Sequence, residues 1–143
     1  MAPFPFSALS AVAVAERVAF ERGEKVGTSV GYHIRLEKKT TMKTPLTFCT
    51  NGILLRMLTS SSSARCGEGE GKGMGSALTH VIVDEIHERD KYADFLMIML
   101  KDLLKSNDKL RLILMSATVN EEEFSRCLLD GGRRRRAWFW TCD

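Results

Sequence analysis

One short run constrains this chain more than any other: His80-Val81-Ile82-Val83, apolar and β-branched, stops abruptly at Asp84-Glu85. That is the pattern of a buried parallel strand that delivers acids at its carboxyl end. Tyr92 to Leu104 then reads as a helix, with Phe95, Leu96, Met99 and Leu103 recurring at three- and four-residue spacing. Leu110 to Met115 is the next strand and closes on Ser116-Ala117-Thr118, and Glu121 to Leu129 is the next helix. Strand, helix, strand, polar strand end, helix is the rhythm of a βαβ layer, with crossovers long enough to be right-handed. The expected architecture is α/β: an open, mostly parallel sheet flanked by helices, with function at the strand tips.

Upstream the pattern is less regular. Ser10 to Glu21 suits a helix, with Ser10 as a cap, Gly23 as a terminator and Val12, Ala15, Ala19 and Phe20 on one face. Between Val26 and Glu37 the alternation of Val30, Tyr32, Ile34 and Leu36 predicts a partly exposed strand or extended arm. Pro45 marks a break, Leu46 to Thr50 is a short strand, and Ile53 to Leu58 is a helix entered through Thr50-Asn51-Gly52. Residues 59–76 are rich in Ser and Gly and read as a loop.

The 143 residues, 44% of them hydrophobic, suffice for one ordinary domain with a core. The net charge of +3 is mostly local: without the run Arg133 to Arg136, seventeen basic side chains face eighteen acidic ones. Phosphate binding therefore has to be sought in a patch rather than in the sum. Cys49, Cys66, Cys127 and Cys142 form no C-x-x-C, so no zinc framework and no dense disulfide scaffold is indicated, and reduced intracellular thiols are expected. The apolar opening lacks a positive n-region and runs straight into Glu16-Arg17, which argues against a secretory signal. It is too short to cross a bilayer, and no membrane association is expected.

Two adjacent carboxylates at a strand end can divide the labour of nucleotide hydrolysis. Asp84 would hold Mg²⁺ through its water shell, and Glu85 would orient and deprotonate the attacking water. The plain alternative is a charged strand-to-helix turn without chemistry. Ser116-Ala117-Thr118, at the end of the adjacent strand, would set hydroxyls beside those carboxylates, although Thr118 can also simply cap the following helix with Glu121. Together the two strand tips are far more specific than either alone.

Asp84-Glu85-Ile86-His87 resembles motif II, and Ser116-Ala117-Thr118 motif III, of the DEAH/DExH group of superfamily 2 RNA helicases. Ala15-Glu16-Arg17-Val18-Ala19, the stretch from Gly31 to Glu37 and the stretch from Phe48 to Arg56 are similar to the segments around motifs Ia and Ib. The wording of the last of these stretches, with His80 to Arg89, is closest to the branch containing the YTH-domain-bearing helicase and its DExH relatives. The resemblance runs in order over residues 10–129 and implies a partial RecA-like domain of the P-loop NTPase type, with ATP and Mg²⁺ as substrate and cofactor. It implies that Asp84 works with Mg²⁺, that Glu85 is the general base, and that His87 links the nucleotide site to a second RecA-like domain. Ser116 and Thr118 would couple hydrolysis to strand movement. Thr50, Asn51 and Gly52 fall where RNA phosphates are held, with Arg56 one turn beyond. A helix N-terminus beside a threonine hydroxyl suits a phosphate on physical grounds as well, while a simple cap at Thr50 and a solvated face at Arg56 are the bland readings.

The departures matter equally. The chain begins too late to contain the P-loop and its strand, which would cradle the β and γ phosphates. Gly71-Lys72 in the loop is no substitute, because Gly73 stands where Ser or Thr is required. Residues 1–9 diverge from the family, with Phe6-Ser7-Ala8 where relatives carry Pro-Arg-Arg. Residues 130–143 form a basic and aromatic tail outside its pattern, in which the arginine run beside Trp138, Phe139 and Trp140 can bind RNA by charge and stacking. Loss of pattern at both ends points to a truncated or misjoined reading frame. The expectation is therefore an ATP-dependent RNA helicase by descent, catalytically incomplete as an isolated chain. The alternatives are a non-catalytic RNA-binding or partner-binding fragment, or a chain left unstable by unpaired sheet edges. Nucleus and cytoplasm both stay open.

Overall fold

The computed structural model describes residues 6–63, 78–86, 92–117 and 137–141. The chain divides into two compact units, Met1–Arg56 and Met57–Asp143. Each is a small mixed α/β arrangement with a three-stranded sheet. His87, Thr118, most of the Ser/Gly-rich loop, the helix expected at Glu121–Leu129 and the arginine run lie outside the described residues.

In the first unit, helix α1 (Phe6–Glu21) leads into strands β1 (Val30–His33), β2 (Lys38–Lys39) and β3 (Leu46–Cys49). The helix begins before Ser10, so that residue lies inside it rather than capping it. Its buried stripe is Ala8, Ala11, Ala15 and Ala19, spaced by three and four residues, and Phe20 is 79% exposed rather than turned inward. Small side chains let α1 pack on β1 and β3, where Val30, Tyr32 and Ile34 complete the core with help from Val12, Val18, Val26 and Phe48. The expected alternation therefore holds for three residues and ends at Leu36, which is exposed.

Gly23 terminates α1 as expected. Its φ of 67° is the left-handed value that glycine adopts without a Cβ penalty. The amide of Glu24 then reaches the carbonyl of Ala19 at 3.0 Å and the amide of Gly23 that of Phe20 at 3.0 Å, the paired bonds of a Schellman ending. Arg22 Nε donates to Glu24 Oε1 at 2.6 Å and to Ser29 Oγ at 3.1 Å, and Ser29 Oγ donates to the same carboxylate, which ties the turn to the start of β1. Those two donors hold the Glu24 carboxyl below its ordinary value, the Ser29 hydroxyl first and the Arg22 guanidinium second.

The sheet order is β2-β1-β3, with β1 antiparallel to β2 and parallel to β3. β2 is two lysines long, and nothing in its composition marks it as a strand. It is admitted by Gly31: a Cβ there would stand 2.1 Å from the Lys39 carbonyl oxygen, a backbone atom that cannot swing aside. Gly31→Ala is accordingly expected to push β2 off β1 and lower stability by about 1–3 kcal/mol. Urea midpoints of the two proteins check this, and equal midpoints would show that β2 contributes nothing.

Helix α2 (Asn51–Ser63) follows β3 directly and continues through Thr59–Ser63, the first residues of the stretch expected as a loop. Serine is only slightly worse than average as a helix former, so the serines at the start of this stretch extend α2 rather than end it.

In the second unit, β4 (His80–Val83), β5 (Arg111–Ser116) and β6 (Ala137–Thr141) form an all-parallel sheet in the order β4-β5-β6. β4 starts and ends where its apolar run does, but only Val81 and Val83 are buried, while Ile82 is 54% exposed. Leu112 and Leu114 continue the buried rows on β5. β6 comes from the tail: Ala137 to Thr141 pair with Leu112 to Ser116 residue by residue. Aromatic residues are strong strand formers, and this property outweighs the arginine run in front of them.

Helix α3 (Ala93–Ser106) connects β4 to β5 and buries Ala93, Leu96, Leu100 and Leu104. The stripe is thus rotated from the expected one, since Phe95 is exposed. Asp94 in the first turn and Lys105 in the last complement the helix dipole. Asn107 ends the helix through its amide to Leu103 O at 2.8 Å, and its side chain donates to Leu78 O at 3.1 Å. Arg111 N to Thr79 O at 2.8 Å completes the seam that sets β4 beside β5. Among the described residues no helix is long and apolar enough to cross a membrane.

Candidate functional site

The parallel register places the second unit's polar groups. Val83 pairs with Leu114, so Asp84 and Glu85 leave β4 as the neighbouring strand runs on through Met115 to Ser116. Both carboxylates are exposed, whereas Ile86 just beyond them is buried and anchors the turn. Ser116 is 4% exposed, and no buried side-chain nitrogen or oxygen among the described residues lacks a hydrogen-bond partner.

Glu85 has a φ of 53°, the one positive value at a non-glycine among the described residues. Such a conformation costs on the order of 1–3 kcal/mol at a residue with a Cβ and persists where the surroundings impose it. Part of the imposition is local, since the Glu85 amide donates to Asp84 Oδ1 at 2.9 Å. A carboxylate offers about four lone-pair sites, so Asp84 retains acceptor capacity. No feature of the sequence signals this backbone state.

Hard oxygen donors suit Mg²⁺, which commonly uses one or two carboxylates and fills its shell with water and substrate phosphates. The exposed pair Asp84 and Glu85 fits that donor set. Among the described residues there is no group of three or more His, Cys, Asp or Glu able to hold a metal by themselves.

The other expected contacts lie in the first unit. Thr50 caps α2: its carbonyl accepts from Ile53 N at 3.0 Å and Leu54 N at 3.1 Å, so Asn51 and Gly52 form the first turn. Arg56 is exposed further along the helix. Beside this terminus stands a residue that the motif pattern passes over, His33. It ends β1 on the sheet face away from the α1 core, between Lys38 on β2 and Cys49 on β3. His33 is half-buried, and its pKa is lowered by that burial first, then by the charges of Lys38 and Arg56. Burial pushes the Cys49 thiol up to about 11, so it is an inert neighbour. The signal for His33 is its strand register, visible only once β2 is known.

Short parallel strands flanked by helices, one of them carrying two carboxylates at its C-terminal end, are consistent with a partial RecA-like fold. The chain is 50% identical over 120 residues to the DExH-box ATP-dependent RNA helicase DExH2 of Arabidopsis thaliana, an overlap of 82% of this chain and 7% of that protein. DExH3 of the same plant is 52% identical over 117 residues, covering 82% of the chain and 9% of the relative. The ATP-dependent RNA helicase DHX30 of Rattus norvegicus is 50% identical over 119 residues, again 82% and 9%. No protein-family profile matches the chain. It is homologous to the RecA-like ATPase region of DExH/DEAH-box helicases, and it spans between 7% and 11% of the length of these curated relatives.

Proposed function

We propose that this chain is part of the nucleotide-hydrolysing domain of an ATP-dependent RNA helicase that translocates on RNA and unwinds it. The observation that carries the reading is the exposed Asp84-Glu85 pair at the carboxyl end of β4, with Glu85 in a left-handed backbone conformation. Asp84 and Glu85 would hold Mg²⁺, mainly through water. When bound, Mg²⁺ neutralises charge developing on the transferred phosphoryl group.

Glu85 orients the attacking water and takes its proton onto a carboxylate oxygen. Asp84 fixes the Glu85 backbone by accepting from its amide, while Ser116 at the end of β5, together with Thr118, couples the hydrolysed state to movement along RNA. His87 passes that state to a second RecA-like domain. Thr50, Asn51, Gly52 and Arg56 hold RNA phosphates at the start of α2. Within the family, the stretches Phe48 to Arg56 and His80 to Arg89 are the basis for proposing the branch that includes the YTH-domain-bearing helicase and its DExH relatives.

A second reading, RNA binding without hydrolysis, is favoured by Trp138 and Trp140, 46% and 66% exposed on β6, as a stacking surface for bases. One experiment separates the two: Mg²⁺-ATP hydrolysis by the protein encoded by the complete transcript, with and without single-stranded RNA. Turnover that RNA stimulates supports the helicase reading. Salt-dependent RNA binding with no turnover overturns it in favour of the second.

A further inference from the structure

The proposed RNA contacts Thr50, Asn51, Gly52 and Arg56 all lie on α2 or its cap. They leave unused the residues that the sheet sets beside them. The row Lys38, His33, Cys49 crosses the three strands of the first unit, and Thr50 is the residue after Cys49. The end of β1 and the start of α2 are therefore neighbours through β3. Lys38 is exposed on the edge strand, and Arg56 projects its charge onto the same imidazole. The segment from Arg35 to Lys43 adds Arg35, Lys39 and Lys43, against the single acid Glu37, which pairs with Lys39 at 3.3 Å. The charges that act on His33 are thus those of Lys38 on β2 and Arg56 on α2, with Cys49 of β3 beside it, and no carboxylate is among the causes of its lowered pKa.

We infer that His33 and Lys38 belong to the RNA phosphate site at the start of α2, and that His33 takes up a proton when RNA binds there. This rests on the proposed RNA site and extends it to two residues and a proton.

The physics is electrostatic. In the free chain, burial and two cations favour the neutral imidazole. A phosphodiester at the site brings a negative charge close to His33, and it also screens Lys38 and Arg56. Both effects favour imidazolium. Its folded, free-state pKa lies below the ordinary value, so His33 is neutral near pH 7 before binding. Binding then draws a proton, and affinity must rise as pH falls through the bound-state pKa. The rise levels off below the free-state pKa, where both states are already protonated. The affinity gained grows about tenfold each time RNA raises the bound-state midpoint by a further pH unit.

The test uses the full chain and a fluorescent single-stranded oligouridylate, titrated by anisotropy between pH 8 and pH 5.5 at constant ionic strength. The histidine ring signals are followed by NMR in parallel. Binding should tighten by about tenfold toward pH 5.5, and the His33 ring should titrate at higher pH with RNA than without. His33→Gln should flatten the profile. Lys38→Ala should weaken binding throughout and raise the free-state midpoint of His33, because one of its two repelling cations is gone. Thermal unfolding of each variant shows that it is folded.

RNA binding with an unchanged His33 titration, or a pH profile that survives in His33→Gln, overturns this inference and leaves the helicase reading standing. An equal displacement of the His33 midpoint by inorganic phosphate alone overturns the assignment to RNA. No RNA binding by the full chain at any pH overturns both this inference and the RNA contacts beneath it.

Discussion

Glu85→Gln is expected to lower the RNA-stimulated turnover of ATP by about 10²–10⁴-fold, the usual contribution of a general base. The substitution isolates chemistry from shape. Glutamine is isosteric with glutamate, keeps an oxygen that can orient water, and cannot accept the proton. It also bears the same backbone cost as glutamate at a φ of 53°, so the turn after β4 should be preserved together with the hydrogen bond from the residue-85 amide to Asp84 Oδ1. Binding of ATP and of RNA should change little, so kcat and kcat/KM should fall together, as expected when an interaction made only in the transition state is lost. Steady-state kinetics on the full-length protein, with RNA saturating, make the comparison. A fall of less than about threefold would show that another group takes the proton and that Glu85 is only a turn residue. Glu85→Gly is a useful companion, because it removes the carboxylate while relieving the left-handed strain. Increased stability with lost turnover would show that strain is maintained at this position for function.

The parts of this arrangement that are legible in the sequence are those where local preference and tertiary packing agree. β4, β5 and the helix between them follow from apolar runs bounded by polar residues, and Gly23 ends α1 because only glycine sits there without strain. The carboxylate pair at the end of β4 and the threonine cap of α2 are legible for the same reason. Other features depend on partners distant in the chain. β2 is two exposed lysines and becomes a strand only because Gly31 admits a close backbone. The inward stripe of α1 is set by alanines that fit against β1, although Phe20 is more hydrophobic. In α3 the same competition favours Leu100 and Leu104 over Phe95. β6 sits in the tail expected to add only charge and stacking, yet it finds the open edge of β5, and pairing there satisfies backbone groups that an unpaired edge would leave to solvent. His33 carries no local signal, because its neighbours come from two other strands and a helix.

Leu112→Ala should be the most damaging of the simple core truncations, at about 2–5 kcal/mol. Leu112 is fully buried on the central strand of the second unit, paired with Val81 on one side and Ala137 on the other. Ala137 is too small to fill a cavity opened beside it. Val81 is held in register by its ladder, so the space should collapse only partly, which places the cost toward the upper end of the range. Folded domains of this size are stable by only about 5–15 kcal/mol, so the loss is a large fraction of the whole. The chain supplies its own reporter, since its two tryptophans, Trp138 and Trp140, both lie on β6. Urea unfolding followed by tryptophan fluorescence reads the docking of β6, and far-ultraviolet circular dichroism reads the helices. The variant should show a lower midpoint by both probes. If fluorescence alone moves, β6 is a locally detachable strand and Leu112 stabilises mainly that edge. If neither moves, Leu112 is not packed as described, and the parallel pairing of the tail with β5 falls with it.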